Sequence, residues 1–219
     1  MTTRIINYLG WAIVLSVSVY FIVNNALHYF IYDSSHYPYG FWPVHAPWLL
    51  VHIVCGITAL LLGPFQFMPA IRKNYPKTHR TMGKVYLMCV LVAALASFDL
   101  SIRKIIIGEK AIAYGGGLAM LGFVWLLTSG MAYWSAISRN FVQHREWMVR
   151  SFVVTCAFAS FRLIDNILVY QFKVDRNESG TLMAWSSWAV PLIIAEVFLQ
   201  AAKIRKGNAA LSNKKSQLS

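Results

Sequence analysis

Charge is scarce in this chain. Lys, Arg, Asp and Glu make up 13% of its 219 residues, whereas a soluble domain carries about a quarter. No segment is long or polar enough to form a soluble domain. Cysteine is scarce as well. Cys55, Cys89 and Cys156 all fall inside apolar runs, and none has a CxxC spacing. This argues against a disulfide framework or a zinc site and for free thiols that pack as small apolar groups. Several enzyme motifs are missing: there is no GxxxxGK[ST] phosphate loop, no HExxH and no GxSxG. Gly115-Gly116-Gly117 opens an apolar run and lacks the strand–turn–helix setting a phosphate loop requires.

Hydrophobic residues are abundant instead, at 58% of the chain, with a mean hydropathy of +0.52. A bilayer core is crossed by about 20 apolar residues in a helix. The chain therefore reads as an all-α, polytopic integral membrane bundle forming one transmembrane domain over 1–219. Six spans are expected near 9–30, 48–69, 83–102, 113–137, 148–170 and 185–203. They should be helices because lipid offers no partner to an unpaired backbone amide. The first apolar run, after Arg4, is longer than a signal core, and no small-x-small cleavage site follows it. It reads as a retained helix.

Basic residues are unevenly placed. One set of span ends holds Arg4, Arg72, Lys73, Lys77, Arg80, Lys84, Arg139, Arg145, Arg150, Lys203, Arg205, Lys206, Lys214 and Lys215. The other holds Arg103, Lys104, Lys110, Lys173 and Arg176, diluted by Asp33, Glu109, Asp175 and Glu178. The positive-inside rule puts both termini in the cytoplasm, in an inner (cytoplasmic) cell membrane, with 204–219 as a frayed basic cytoplasmic tail. Anionic headgroups account for the net charge of +12 without a nucleic acid partner. Trp42, Trp48, Trp134, Trp147, Trp185 and Trp188 cluster near span ends, as an aromatic belt requires.

The dipeptide His-Arg occurs twice, at His79-Arg80 and His144-Arg145, each time just before a long apolar run. Imidazole is the commonest protein metal ligand and titrates near neutral pH. Both pairs fall on the basic face, in one layer with Gln66. His28 and His52 fall in the opposite layer, and His36 and His45 in a loop. On the fifth span His144, Met148, Ser151, Thr155, Phe158, Arg162 and Asp165 recur at helical spacing and share a face that must look into the bundle. The third span carries a parallel stripe of His79, Gly83, Tyr86, Val90, Ala93 and Ser97. The two stripes read either as an internal duplication or as unrelated helices that each begin with a basic interfacial pair. On the second span, His52, Gly56 and Gly63 share a face whose small residues admit a neighbouring helix or a flat ligand. Arg162, Asp165 and Glu196 lie inside spans, where ionisable groups are costly. Counting depth suggests a structural ion pair of Arg162 with Glu196, with Asp165 as a second partner. A sharper reading gives Arg162 a carboxylate of a bound cofactor or substrate.

The ordered segments HIVCGITALLLGPFQF, HRTMGKVY, the central Trp125 and HREWMVRSF…FR resemble a bacterial family of predicted membrane proteins, domain of unknown function 2306. The resemblance covers roughly His45 to Arg162. It implies membrane location and a shared site built from His52, Gln66, His79, Arg80, His144, Trp147, Met148, Arg150 and Arg162, and it implies no particular activity.

Three functional readings stay open. One is binding of haem b, with electrons passed across or along the membrane. His79 and His144 would ligate the iron, and Arg80, Arg145 or Arg150 would pair with the propionates. The layout is similar in outline to diheme cytochromes of the b561 type, and by that analogy His52 and His28 would hold an outer haem. Those cytochromes carry their ligands inside the spans, whereas His79 and His144 sit at the ends. A second reading is a cofactor-free transporter or small-molecule binding protein, for instance for a quinone, with Arg162, Asp165 and Glu196 along the path. No symmetric pair of broken half-helices supports it. The third is a non-enzymatic scaffold or assembly factor.

Overall fold

Residues 2–30, 46–107 and 111–217 are described by a computed structural model. The described residues are almost all helical and contain no strand. Helix α1 runs Thr2–Phe21 and continues as a widened π turn, Ile22–Ala26, and a tight 3-10 turn, Leu27–Phe30. Then come α2 (Ala46–Phe67), the short α3 (Pro69–Asn74), α4 (Pro76–Ile107), α5 (Ala111–Ile137), α6 (Phe141–Thr155), α7 (Ala157–Tyr170) and α8 (Arg176–Ser216). Among the described residues, five helices are long and apolar enough to cross a membrane. The bent pair α6–α7 makes a sixth when counted as one span.

Local sequence sets the boundaries. Pro69 and Pro76 stand at the starts of α3 and α4, where a missing backbone N–H costs nothing. Helix α4 therefore begins well before the expected residue 83 and takes in His79. Between α5 and α6 the chain reverses in three residues. Arg139 adopts a left-handed φ of 59°, Asn140 N–H bonds to Ser135 O at 2.9 Å, and the Asn140 side chain accepts from Gln143 N–H at 3.2 Å. This is the hydrogen-bonding logic of a helix stop followed at once by an N-cap.

The expected fifth span is not one straight helix. It breaks at Cys156 and bends by 40°. No proline sits there, and side-chain hydroxyls on both sides of the break bond back to their own helix. Thr155 Oγ1 donates to Ser151 O at 2.9 Å and Ser160 Oγ to Cys156 O at 3.2 Å, contacts that compete with the ladder and bend helices. The sixth span is also longer than expected. Helix α8 continues through the basic segment to Ser216, so the structure has a helix where a frayed tail was expected.

Helix α2 packs on α4, α4 on α5, α5 on α6, and α2 touches α6, which closes a four-helix ring. Helix α8 lies against α5, α6 and α7, and α1 lies outside against α2 and α7. The ring is lined by small residues, Ala59, Ala93, Ala94 and Ala132, all fully buried. In lipid, such residues bring backbones close and let dispersion hold the helices together. Gly63 of α2 is the tightest approach: a Cβ there would collide with ring carbons of Phe152. Phe152 in turn tilts against Trp11 and Phe67, with centroids 6.1 and 5.8 Å away. Large apolar side chains point outward instead, among them Ile13, Leu95, Phe123 and Ile193, each more than half exposed, as a lipid-facing surface requires. Trp188 departs from the expected belt. It is buried and donates to Ala184 O at 2.9 Å. Trp42 lies outside the described residues, as do His36 and His45.

Candidate functional site

At the basic end, three elements converge. Gln66, in the last turn of α2, is buried and places Oε1 3.4 Å from where a Gly83 Cβ would stand. His79 lies one turn before Gly83 on the same face of α4. It is within electrostatic range of His144, Arg72 and Arg80. His144 Nδ1 donates to Ala132 O at 2.8 Å, a bond made across the short α5–α6 turn. Two buried atoms here have no hydrogen-bond partner, Gln66 Nε2 and His79 Nδ1. Arg80 and Arg145 are exposed at the same end.

The middle of the ring holds a polar network. Trp125 Nε1 donates to Thr155 Oγ1 at 2.9 Å, and Thr155 gives its own proton to Ser151 O. Thr155 then accepts from Tyr86 Oη, 2.7 Å away. With its proton spent, Tyr86 accepts from Ser151 Oγ at 2.8 Å, and Ser151 accepts from Ser129 Oγ at 2.7 Å. All five hydroxyl and indole groups are satisfied inside the ring, on α4, α5 and α6.

Beside the ring, α6 and α8 are clamped by charge. Arg150 donates through Nε to Glu196 Oε2 at 2.8 Å, and its Nη2 forms an ion pair with the same oxygen at 2.6 Å. Its guanidinium lies 4.6 Å over the Trp147 ring. Lys203 Nζ sits 2.7 Å from Glu146 Oε2, off the hydrogen-bond angle, so that contact is electrostatic. Gln200 Nε2 donates to Glu196 Oε1 at 2.6 Å.

At the opposite end, Asp165 is buried and accepts from Ser179 Oγ at 2.5 Å, with Arg176 Nη1 at 3.9 Å. Arg162 lies 5.8 Å over the Phe161 ring and lines a half-open cavity of about 320 Å³ between α1 and α7. His52 Nδ1 donates to Ala93 O at 2.8 Å, and its ring meets Phe158 edge-on at 5.9 Å.

The family model described as Predicted membrane protein (DUF2306) matches residues 49–199. The chain belongs to this family. Neither a curated protein nor a solved structure matches it. The DUF2306 match covers the four-helix ring, both His-Arg pairs, the central network and the Arg150–Glu196 clamp. Helix α1 lies outside it.

Measured against the expected site, the structure separates what the sequence had grouped. Gln66, His79 and His144 share the basic end, with Arg80 and Arg145 at its surface. Arg162 is eighteen residues beyond His144 along α6–α7, roughly 27 Å at 1.5 Å per residue, and belongs to the other end. The expected Arg162–Glu196 pair does not form: Glu196 is held by Arg150. The depth count assumed one straight span, and the bend at Cys156 removes that premise. Asp165 pairs with Ser179 and Arg176 instead. Arg150, expected near propionates, is already engaged by Glu196. The side chain of His28 lies outside the described residues, so its expected pairing with His52 does too. Among the described residues no cluster of three or more His, Cys, Asp or Glu side chains could hold a bare metal ion. Cys55, Cys89 and Cys156 are free thiols.

Sequence reasoning missed Glu146, Gln200, Lys203, Ser129 and Ser179. The first three carried a readable signal, since Glu146 and Arg150 are four apart and Glu196, Gln200 and Lys203 follow at four and three. Ser129 and Ser179 carried none, because serine is unremarkable in a membrane helix until its neighbours are known.

Proposed function

We propose that this protein binds haem b between His79 and His144 and passes electrons across or along the membrane. The ligand end is placed at the cytoplasmic face of an inner (cytoplasmic) cell membrane, with both termini cytoplasmic; the crowding of Lys and Arg at that end supports this orientation. The reading is carried by the state of the two imidazoles. His144 is fixed through Nδ1–H to a backbone carbonyl, which leaves the Nε2 lone pair free, as second-shell bonding does for ligating histidines. His79 keeps a buried ring nitrogen with no protein partner, and such an orphan is costly unless something satisfies it.

Haem iron with two axial imidazoles asks for histidines from facing helices and little more. Arg72, Arg80 and Arg145 offer the guanidinium groups that propionates favour. Bound haem would supply reversible one-electron exchange. The chain's own residues would set its surroundings. Met148, buried one turn above His144, excludes water, and the Gln66 amide offers an unused donor beside the His79 face.

The test is optical. Protein purified from haem-replete cells should show a Soret band that sharpens on dithionite reduction. His79→Ala and His144→Ala should each lose it while eluting as folded protein, and His52→Ala should retain it. A colourless wild-type preparation from such cells would overturn the reading.

A further inference from the structure

The half-open cavity between α1 and α7 stands apart from the histidine end, and its one charged lining residue is Arg162. We propose that this groove binds an anionic phospholipid, with Arg162 on the phosphate. Arginine within a membrane segment is costly unless it finds a counter-charge or reaches the interface. Arg150, on the same bent span, has Glu196. Arg162 has no carboxylate within ion-pair distance among the described residues. Asp165, the acid nearest in sequence, is already taken by Ser179 and Arg176.

The lining suits an amphiphile. Asn25 and Asn166 flank the arginine with amide donors, and Val17, Leu163 and Ile167 form apolar walls. Val17 and Leu163 are also exposed on the outer faces of their helices, so the groove opens sideways toward lipid. Asn25 belongs to the π turn Ile22–Ala26, a widened geometry that concentrates at functional sites. Arg162 lies eight residues before the end of α7, roughly 12 Å by helical rise, a depth from which its long side chain can meet a headgroup. Guanidinium matches phosphate oxygens in a two-point contact. No carboxylate among the lining residues is available for a choline or ethanolamine cation, so the chemistry favours a headgroup with net negative charge.

Native mass spectrometry of the full chain in detergent, with added dioleoyl phosphatidylglycerol or dioleoyl phosphatidylcholine, tests this. The wild type should retain phosphatidylglycerol at least about tenfold more tightly than phosphatidylcholine. Arg162→Gln should reduce phosphatidylglycerol to the phosphatidylcholine level. Ala159→Trp, which fills the groove and leaves the charge, should abolish retention of both, and Arg139→Gln at the other end should change nothing. Equal retention of the two lipids, or phosphatidylglycerol binding unchanged in both groove variants, overturns the proposal. So does displacement of phosphatidylglycerol by millimolar inorganic phosphate, which would assign the groove to the free anion.

Discussion

Tyr86→Phe removes one atom from the centre of the ring, and the geometry around it determines the outcome. Tyr86 is fully buried, and its hydroxyl gives a proton to Thr155 and takes one from Ser151. After the change Thr155 still accepts from Trp125 and donates to Ser151 O. The Ser151 hydroxyl loses its acceptor and can turn toward Ser129, 2.7 Å away, once Ser129 rotates its own proton off that contact. Two interhelical bonds are lost and no charged group is stranded. Such bonds average about 0.6 kcal/mol in a bilayer protein, so the variant should lose about 1 kcal/mol. Tyr86→Ala also opens a cavity, and on the scale of large aromatic truncations should lose about 3–5 kcal/mol. Steric trapping or SDS titration in mixed micelles can measure both. A double-mutant cycle of Tyr86→Phe with Ser151→Ala should return a coupling of about 0.6 kcal/mol, with about 1.7 kcal/mol as an upper bound. A coupling of zero would refute the donor assignments. A Tyr86→Phe loss as large as that of Tyr86→Ala would refute the claim that the remaining hydroxyls can rearrange.

Two further outcomes are expected. Gly63→Ala drives a methyl into the Phe152 ring and should cost about 1–3 kcal/mol as overpacking; adding Phe152→Leu should recover much of it, and a merely additive double mutant would remove the steric explanation. Arg150→Ala should cost about 3 kcal/mol, because Arg150 is only 9% exposed and its loss strands neighbouring buried charge. Glu196→Ala should cost nearer 1 kcal/mol, since that side chain is 40% exposed and solvent screens it; the reverse order in unfolding measurements would show that Glu196 is the critical partner.

Much of the architecture was legible in the sequence because lipid is a simple solvent. Apolar runs of sufficient length must be helices, so five helices and the α6–α7 pair were readable before any contact was known. The helical spacing from His144 to Asp165 announced an inward face, and Met148, Ser151 and Asp165 on it are buried, whereas Arg162 on the same stripe lines the half-open groove beside α1. What could not be read was pairing. A depth count favours Arg162 for Glu196, yet Arg150, twelve residues earlier and roughly 18 Å away by helical rise, takes it, and that choice depends on how α8 crosses α6. The break at Cys156 was equally hidden. No proline or glycine marks it, and the hydroxyls beside it bond back to their own helix just as Ser101 and Thr128 do in unbroken helices.

That break has leverage. Helix α7 is fourteen residues long, or roughly 21 Å by helical rise. Swinging it through the 40° of the bend would carry Tyr170 sideways by roughly 14 Å, estimated from that same rise. A shift of that size would close or splay the recess beside α1 and pull Asp165 away from Ser179. The break at Cys156 thus stands at the base of an arm whose far end, Tyr170, lines the lateral opening beside α1.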